Sequence, residues 1–166
     1  MMSASTRRAL LLTLGAAVMA SGGAMAQGPQ VAATLPLAGS LPDELSLALG
    51  QTQPLVIMVS LEGCVFCRIA RQSHLAPYHR EGGHIVQVNM RSSQRVRDFD
   101  GQTTTHEELV KRWRVSVAPT LLFIGPQGRE VAERMEGGYQ PDFYGPYLEA
   151  RLDTARAAIR TAQRRH

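Results

Sequence analysis

The run Pro54-Leu-Val-Ile-Met-Val-Ser60 constrains the fold more than any other segment of the chain. It is almost continuously apolar, whereas a strand with one wet face alternates apolar and polar residues. It therefore reads as a strand buried on both faces, and such a strand needs a covering layer on each side of its sheet. Gly63-Cys64-Val65-Phe66-Cys67 follows directly and holds the chain's only two cysteines. From Cys64 the apolar spacing turns helical, with Val65, Ile69, Ala70 and Leu75 separated by Arg68, Arg71 and Gln72. The cysteine pair thus stands where a strand hands over to a helix. Unpaired N–H groups and the helix dipole favour negative charge there. A thiol at that end ionises more readily, and the thiolate is the nucleophile of thiol–disulfide exchange. The second sulfur lies one turn on, within reach of a small disulfide. A loop over two intervening residues restrains little of the unfolded chain, so the pair is a poor staple and a better reactive centre.

The remaining pattern supplies the layers. Pro42-Asp43-Glu44 opens a short helix through Leu49, with Gly50 as its stop. Pro77 and Gly82-Gly83 end or bend the cysteine-bearing helix, and His84 to Met90 alternates as a strand. Residues 91–104 are polar and irregular, with a turn at Asp98-Phe-Asp-Gly101. Thr105 starts the next helix, Glu108 completes a capping box, and Leu109 and Trp113 face inward before its end near Arg114. Thr120 to Ile124 is an apolar strand, Gly125-Pro-Gln-Gly128 a hairpin turn, and Arg129 to Met135 the returning strand. A last helix runs from Pro141 to Ala162, disturbed at Gly145-Pro146. Helical crossovers make the early strands parallel, and the hairpin adds antiparallel ones. The predicted class is α/β, with a central mixed β-sheet flanked by helices on both faces and no second domain.

The first residues look like an export signal. Arg7 and Arg8 precede an apolar stretch, Ala9 to Ala20, that is too short to span a bilayer. Ala24-Met25-Ala26 is a small-x-small cleavage site, which puts the mature start at Gln27. Residues 1–26 are thus read as a signal peptide, 27–40 as a flexible segment, either a tether or a short edge strand, 41–162 as the domain and 163–166 as a tail. Cleavage removes two arginines and lowers the formal charge from +4 to +2. That charge, with few aromatics, gives no case for a nucleic-acid partner. The arginines between 151 and 165 read as a solvated helix face.

At this point the chain resembles the thioredoxin-fold family. Three marks carry the resemblance: the strand–Cys64-x-x-Cys67–helix junction, Val117-Ala118-Pro119-Thr120 entering the third apolar strand, and the closing hairpin with Gly137-Gly138 before a terminal helix. It spans about residues 41–160. Within the family the chain is most similar to exported bacterial thioredoxins, including those of sulfur-oxidation clusters, because of the polar insertion ending in Thr-x-x-Glu-Leu. The resemblance implies a periplasmic thiol–disulfide oxidoreductase with Cys64 and Cys67 as catalytic residues. It also implies a cis Ala118–Pro119 bond beside them, where Ala118 pairs with an extended client strand. Phe66, in the apolar tip between the cysteines, is expected to touch the client. The implied partners are proteins with disulfides and a membrane electron donor, and a monomer without cofactor is expected. Two features depart from the family. Met58 occupies the position where many members bury an acid beneath the second cysteine. Val65-Phe66 places no cation or proton donor between the sulfurs, which favours a reductase or isomerase-coupled role over a primary oxidant.

Two other readings are open. A Cys-x-x-Cys pair with a histidine could carry copper(I), and His74, His79, His84 and His106 are available. Each histidine is otherwise read as a surface or loop residue. Alternatively the apolar tip could dock clients without redox turnover. There is no nucleophile elbow or phosphate loop to suggest a hydrolase.

Overall fold

Every residue of the strand Leu55–Ser60 is buried, the two-faced burial its apolar run calls for. The computed structural model describes residues 34–138 and 140–165, so the expected export signal and the start of the 27–40 segment lie outside the described residues. In chain order the elements are α1 (Leu41–Gly50), β1 (Leu55–Ser60), α2 (Val65–Ala70), a π turn (Arg71–Leu75), α3 (Ala76–Arg80) and β2 (Ile85–Asn89). Then come β3 (Arg95–Arg97), β4 (Thr103–Thr105), α4 (His106–Arg112), β5 (Thr120–Ile124), β6 (Glu130–Glu136) and α5 (Pro141–Gln163). The main sheet has the order β2-β1-β5-β6. β1 and β2 are parallel, while β5 and β6 are antiparallel to their neighbours, which gives the mixed sheet expected from the crossovers and the hairpin.

The two faces of β1 divide the core. Leu55, Ile57 and Val59 pack with Leu41, Leu45 and Ala48 of α1, Val86 and Val88 of β2, and Leu109 and Val110 of α4. Val56 and Met58 face the other way, with Cys67, Ala70 and Leu75, Phe123 of β5, and Tyr144, Leu148 and Leu152 of α5. Alternate side chains of one strand thus serve two cores, which is why no polar residue interrupts it. Among the described residues no helix is long and apolar enough to cross a membrane.

Four local expectations are sharpened or changed. The 27–40 segment, read as a flexible tether or a short edge strand, is fixed over residues 34–40 along the edge of β2. Gln87 N donates to Pro36 O at 2.8 Å and Ala38 N to Gln87 O at 3.0 Å, while Leu35 and Ala38 are buried. Apolar burial and the free edge of β2 together hold it. The polar stretch 91–104 contains the hairpin β3–β4, with Val96 alone of β3 turned into the core. Of the two signals read as ending or bending the cysteine-bearing helix, Pro77 does not end it, and the helix stops just before Gly82-Gly83. A π turn over Arg71–Leu75 precedes Pro77, and the helix continues through it to Arg80. Pro146 likewise lies inside α5, which runs on to Gln163 over its buried Leu148, Leu152, Ala155 and Ile159.

Asp98 closes the β3–β4 hairpin from within. Its carboxylate accepts from Gln102 N at 2.8 Å, Asp100 N at 3.1 Å and Arg112 Nη1 at 2.7 Å. Burial pushes its pKa up, but the bonds from Arg112 and the two backbone N–H groups outweigh that and hold it below the usual carboxylate value. A folded value below the unfolded one contributes stability that is complete at neutral pH and lost as acid carries the group through its folded value, below about pH 4. We expect Asp98→Ala to cost about 1–3 kcal/mol at pH 7, because it strands three donors. Urea midpoints of both proteins should converge as pH falls below about 4. A gap that persists unchanged in acid would contradict this account.

Candidate active site

Cys64 is the N-cap of α2, and its sulfur accepts from Cys67 N at 3.0 Å. Gly63 precedes it at φ +74°, a left-handed conformation that suits glycine and turns the chain sharply from β1 into the helix. The sulfur therefore faces the unpaired N–H groups of the helix end, as the spacing predicts. Cys64 and Cys67 are joined as a disulfide with their Cα atoms 5.3 Å apart. The two sulfurs differ in exposure: Cys67 is fully buried in the core beneath α2, while Cys64 is half-buried at the surface. An incoming group can reach Cys64, and Cys67 waits behind it.

The Val117–Thr120 loop faces the pair. The carbonyl oxygen of Ala118 lies 3.8 Å from Cys64 Sγ, and the Ala118–Pro119 peptide is cis. The Thr120 hydroxyl donates to Val117 O at 2.8 Å, and Gly137 N donates to Pro119 O at 2.8 Å, so β5 and the end of β6 brace the loop. Gly137 has φ +59°, and a Cβ there would press on Val117. Around the pair, Val65, Phe66 and Val117 are each about half exposed, at 53%, 56% and 46%. The structure therefore brings together Cys64, Cys67, Phe66, Ala118 and Pro119 at one end of the sheet. Met58 is fully buried in the same core as Cys67, so an apolar side chain stands where the resemblance would put an acid.

On the other flank of Cys64 an open cleft of about 730 Å³ is lined by Ser60, Glu62, Arg68, Arg71, Gln87 and Arg91, among others. Arg71 donates through Nε to Gln87 Oε1 at 2.9 Å and through Nη2 to Ser60 Oγ at 3.0 Å. Burial pushes its guanidinium below its ordinary value. The sequence reading passed over this residue as one of the polar positions between apolar ones. Its spacing of four from Cys67 was the available signal, since i and i+4 share a helix face.

The histidines do not gather at the sulfurs. His74 lies against Tyr144 with the rings tilted by 40° and their centres 5.0 Å apart, and burial pushes its pKa down. His106, read as a surface or loop residue, is fully buried. Its Nε2 lies 2.9 Å from Ala38 O, and its Nδ1 accepts from Asn89 N at 3.2 Å, so it bolts the 34–40 segment and α4 to the end of β2. Among the described residues no three His, Cys, Asp or Glu side chains converge as a metal site.

Comparison with known proteins follows the same lines. Residues 41–152 match the family model described as a thioredoxin-like domain. No curated protein sequence matches the chain. Among solved structures, the DsbH oxidoreductase superposes with a TM-score of 0.52 at 20% identity, over 81% of this chain and 96% of its own. A thioredoxin from Thermus thermophilus gives 0.48 at 18% identity, over 70% and 87%. The reduced periplasmic thioredoxin SoxS from Paracoccus pantotrophus gives 0.40 at 18% identity, over 62% and 99%. At such identities the likeness is one of fold.

Proposed function

Because the chain belongs to the thioredoxin-like family and carries a Cys-x-x-Cys thiol–disulfide centre, we propose that it works in the periplasm as a reductase of protein disulfides. The observation that carries the reading is the unequal pair: an accessible sulfur at a helix N-terminus, with a fully buried sulfur one turn behind it. In the reduced protein the Cys64 thiolate attacks one sulfur of a client disulfide. A Cys64–client disulfide forms as the client bond breaks, and the client's other sulfur leaves as a thiolate. The Cys67 thiolate then attacks Cys64, closing the Cys64–Cys67 disulfide and releasing the second client thiol. Two electrons have passed to the client, and a dithiol donor must return them. The helix N-terminus stabilises Cys64 as attacking group and as leaving group. Ala118 offers backbone groups to an extended client next to the reacting sulfur, with Pro119 setting the loop and Phe66 giving apolar contact.

The location rests on the signal-like features of residues 1–26, and the direction on the absence of a cation between the sulfurs. The branch of exported thioredoxins rests on sequence features alone. Acid-quenched cells, alkylated and fractionated, test both location and direction. We expect the periplasmic fraction to hold a chain beginning at Gln27, mostly as the dithiol. A predominantly disulfide form would reverse the direction, and full-length protein in the membrane fraction would replace export by anchoring.

A further inference from the structure

Four arginines are half-buried among the described residues: Arg71, Arg134, Arg151 and Arg156. Three of them pair with carboxylates of this chain, Arg134 with Glu130, Arg151 with Glu133 and Arg156 with Asp153. Arg71 pairs with none; its partners are the neutral Gln87 and Ser60. Gln87 is held in turn by its donation to Asn89 Oδ1 at 2.8 Å. A guanidinium carries five N–H donors, and these bonds commit two of them. The others belong to a side chain that lines the cleft beside Cys64. Arg68 and Arg91 line the same cleft against a single acid, Glu62.

We propose that this cleft seats a carboxylate of the client, an Asp or Glu side chain flanking the disulfide under attack, on the free donors of Arg71. The proposal rests on the oxidoreductase reading, because the client is what brings the carboxylate to Cys64. The planar guanidinium matches a carboxylate in two parallel bonds and is weakly hydrated, so a partly dehydrated site suits it. Ser60 and Gln87 fix the plane beforehand, which removes the ordering cost that a flexible surface arginine would bear. The in-chain pairs of the other three arginines show what Arg71 lacks.

The test uses purified protein, a dithiol recycling agent and two disulfide peptides identical except for Glu or Gln beside one cysteine. We expect kcat/KM for the Glu peptide to exceed that for the Gln peptide roughly tenfold at low salt, the scale of a hydrogen-bonded ion pair. The ratio should shrink as salt is raised. In Arg71→Gln the ratio should fall towards one. Equal rates in the unaltered protein, or a ratio that survives Arg71→Gln, would overturn the proposal. If the variant does not fold, a salt-independent ratio in the unaltered protein overturns it equally. A second readout needs no turnover: Cys64 of the reduced protein is alkylated by anionic iodoacetate and by neutral iodoacetamide. The ratio of the two rates cancels the thiolate fraction, and it should drop several-fold in Arg71→Gln or in high salt. If neither peptide is reduced but this ratio behaves as expected, the anion cleft stands and the reductase reading fails. A ratio indifferent to both salt and Arg71 overturns the cleft whatever the turnover.

Discussion

Cys64→Ser should abolish disulfide reduction, on the order of 10³-fold or more, because the nucleophile is gone. Cys67→Ser should lose turnover to a similar degree for a different reason. Its Cys64 still attacks, and the product persists as a mixed disulfide with the client, which non-reducing gels and mass spectrometry would display. The unequal burial of the two sulfurs predicts the same order in alkylation. At mildly acidic pH the half-buried Cys64, at the N-terminus of α2, should be modified before the buried Cys67. Faster labelling of Cys67, or a stalled complex in Cys64→Ser, would exchange the two roles.

Met58→Asp should be the most costly single change near the site. The side chain is fully buried among Cys67, Phe123 and Leu121. A carboxyl there keeps its proton, since burial disfavours the charged form and raises the folded pKa. The sign follows from linkage. Below the unfolded value near 3.9 both states are protonated, and the variant loses chiefly packing and carries a buried polar group. Between that value and the raised folded value, the unfolded chain releases a proton that the folded one keeps. The penalty then grows by about 1.4 kcal/mol per pH unit. Denaturant titrations should show a gap between the two proteins that widens from about pH 4 towards neutrality, reaching about 3 kcal/mol or more at pH 7. A pH-independent gap would show that position 58 is wetter than its burial indicates.

Much of this site was legible because its signals are local. A run of apolar residues fixes β1 without reference to anything else, and a pair spaced i and i+3 after it fixes Cys64 at the helix end. The misses were non-local. His106 is buried through Ala38, a residue 68 positions away, and no periodicity within its own helix reports that contact. β3 and β4 have three residues each, too few to display a period of two, and Val96 alone of β3 is buried. Arg71 lies on the same helix face as Cys67, but an arginine among polar neighbours reads as solvated. Its half-burial comes from Ser60 and Gln87 on two different strands. The 34–40 segment could be read as a tether or a short edge strand because glycine, proline and alanine carry weak propensities, while its order comes from the edge of β2.

That segment has a consequence for how the protein meets unfolded chains. A sheet with bare lateral edges offers backbone donors and acceptors to any extended polypeptide, and edge-to-edge pairing is a route to aggregation. Here residues 36–38 occupy the outer backbone groups of β2 at Gln87. At the opposite side, β6 carries Glu130, Glu133, Arg134 and Glu136 along its short length. Charge and cover thus blunt both sides of the sheet against self-association. Side-by-side pairing with an extended polypeptide is thereby disfavoured at both edges. On the proposed reading the loop at Ala118, whose carbonyl lies 3.8 Å from Cys64 Sγ, is left as the landing place for an extended chain.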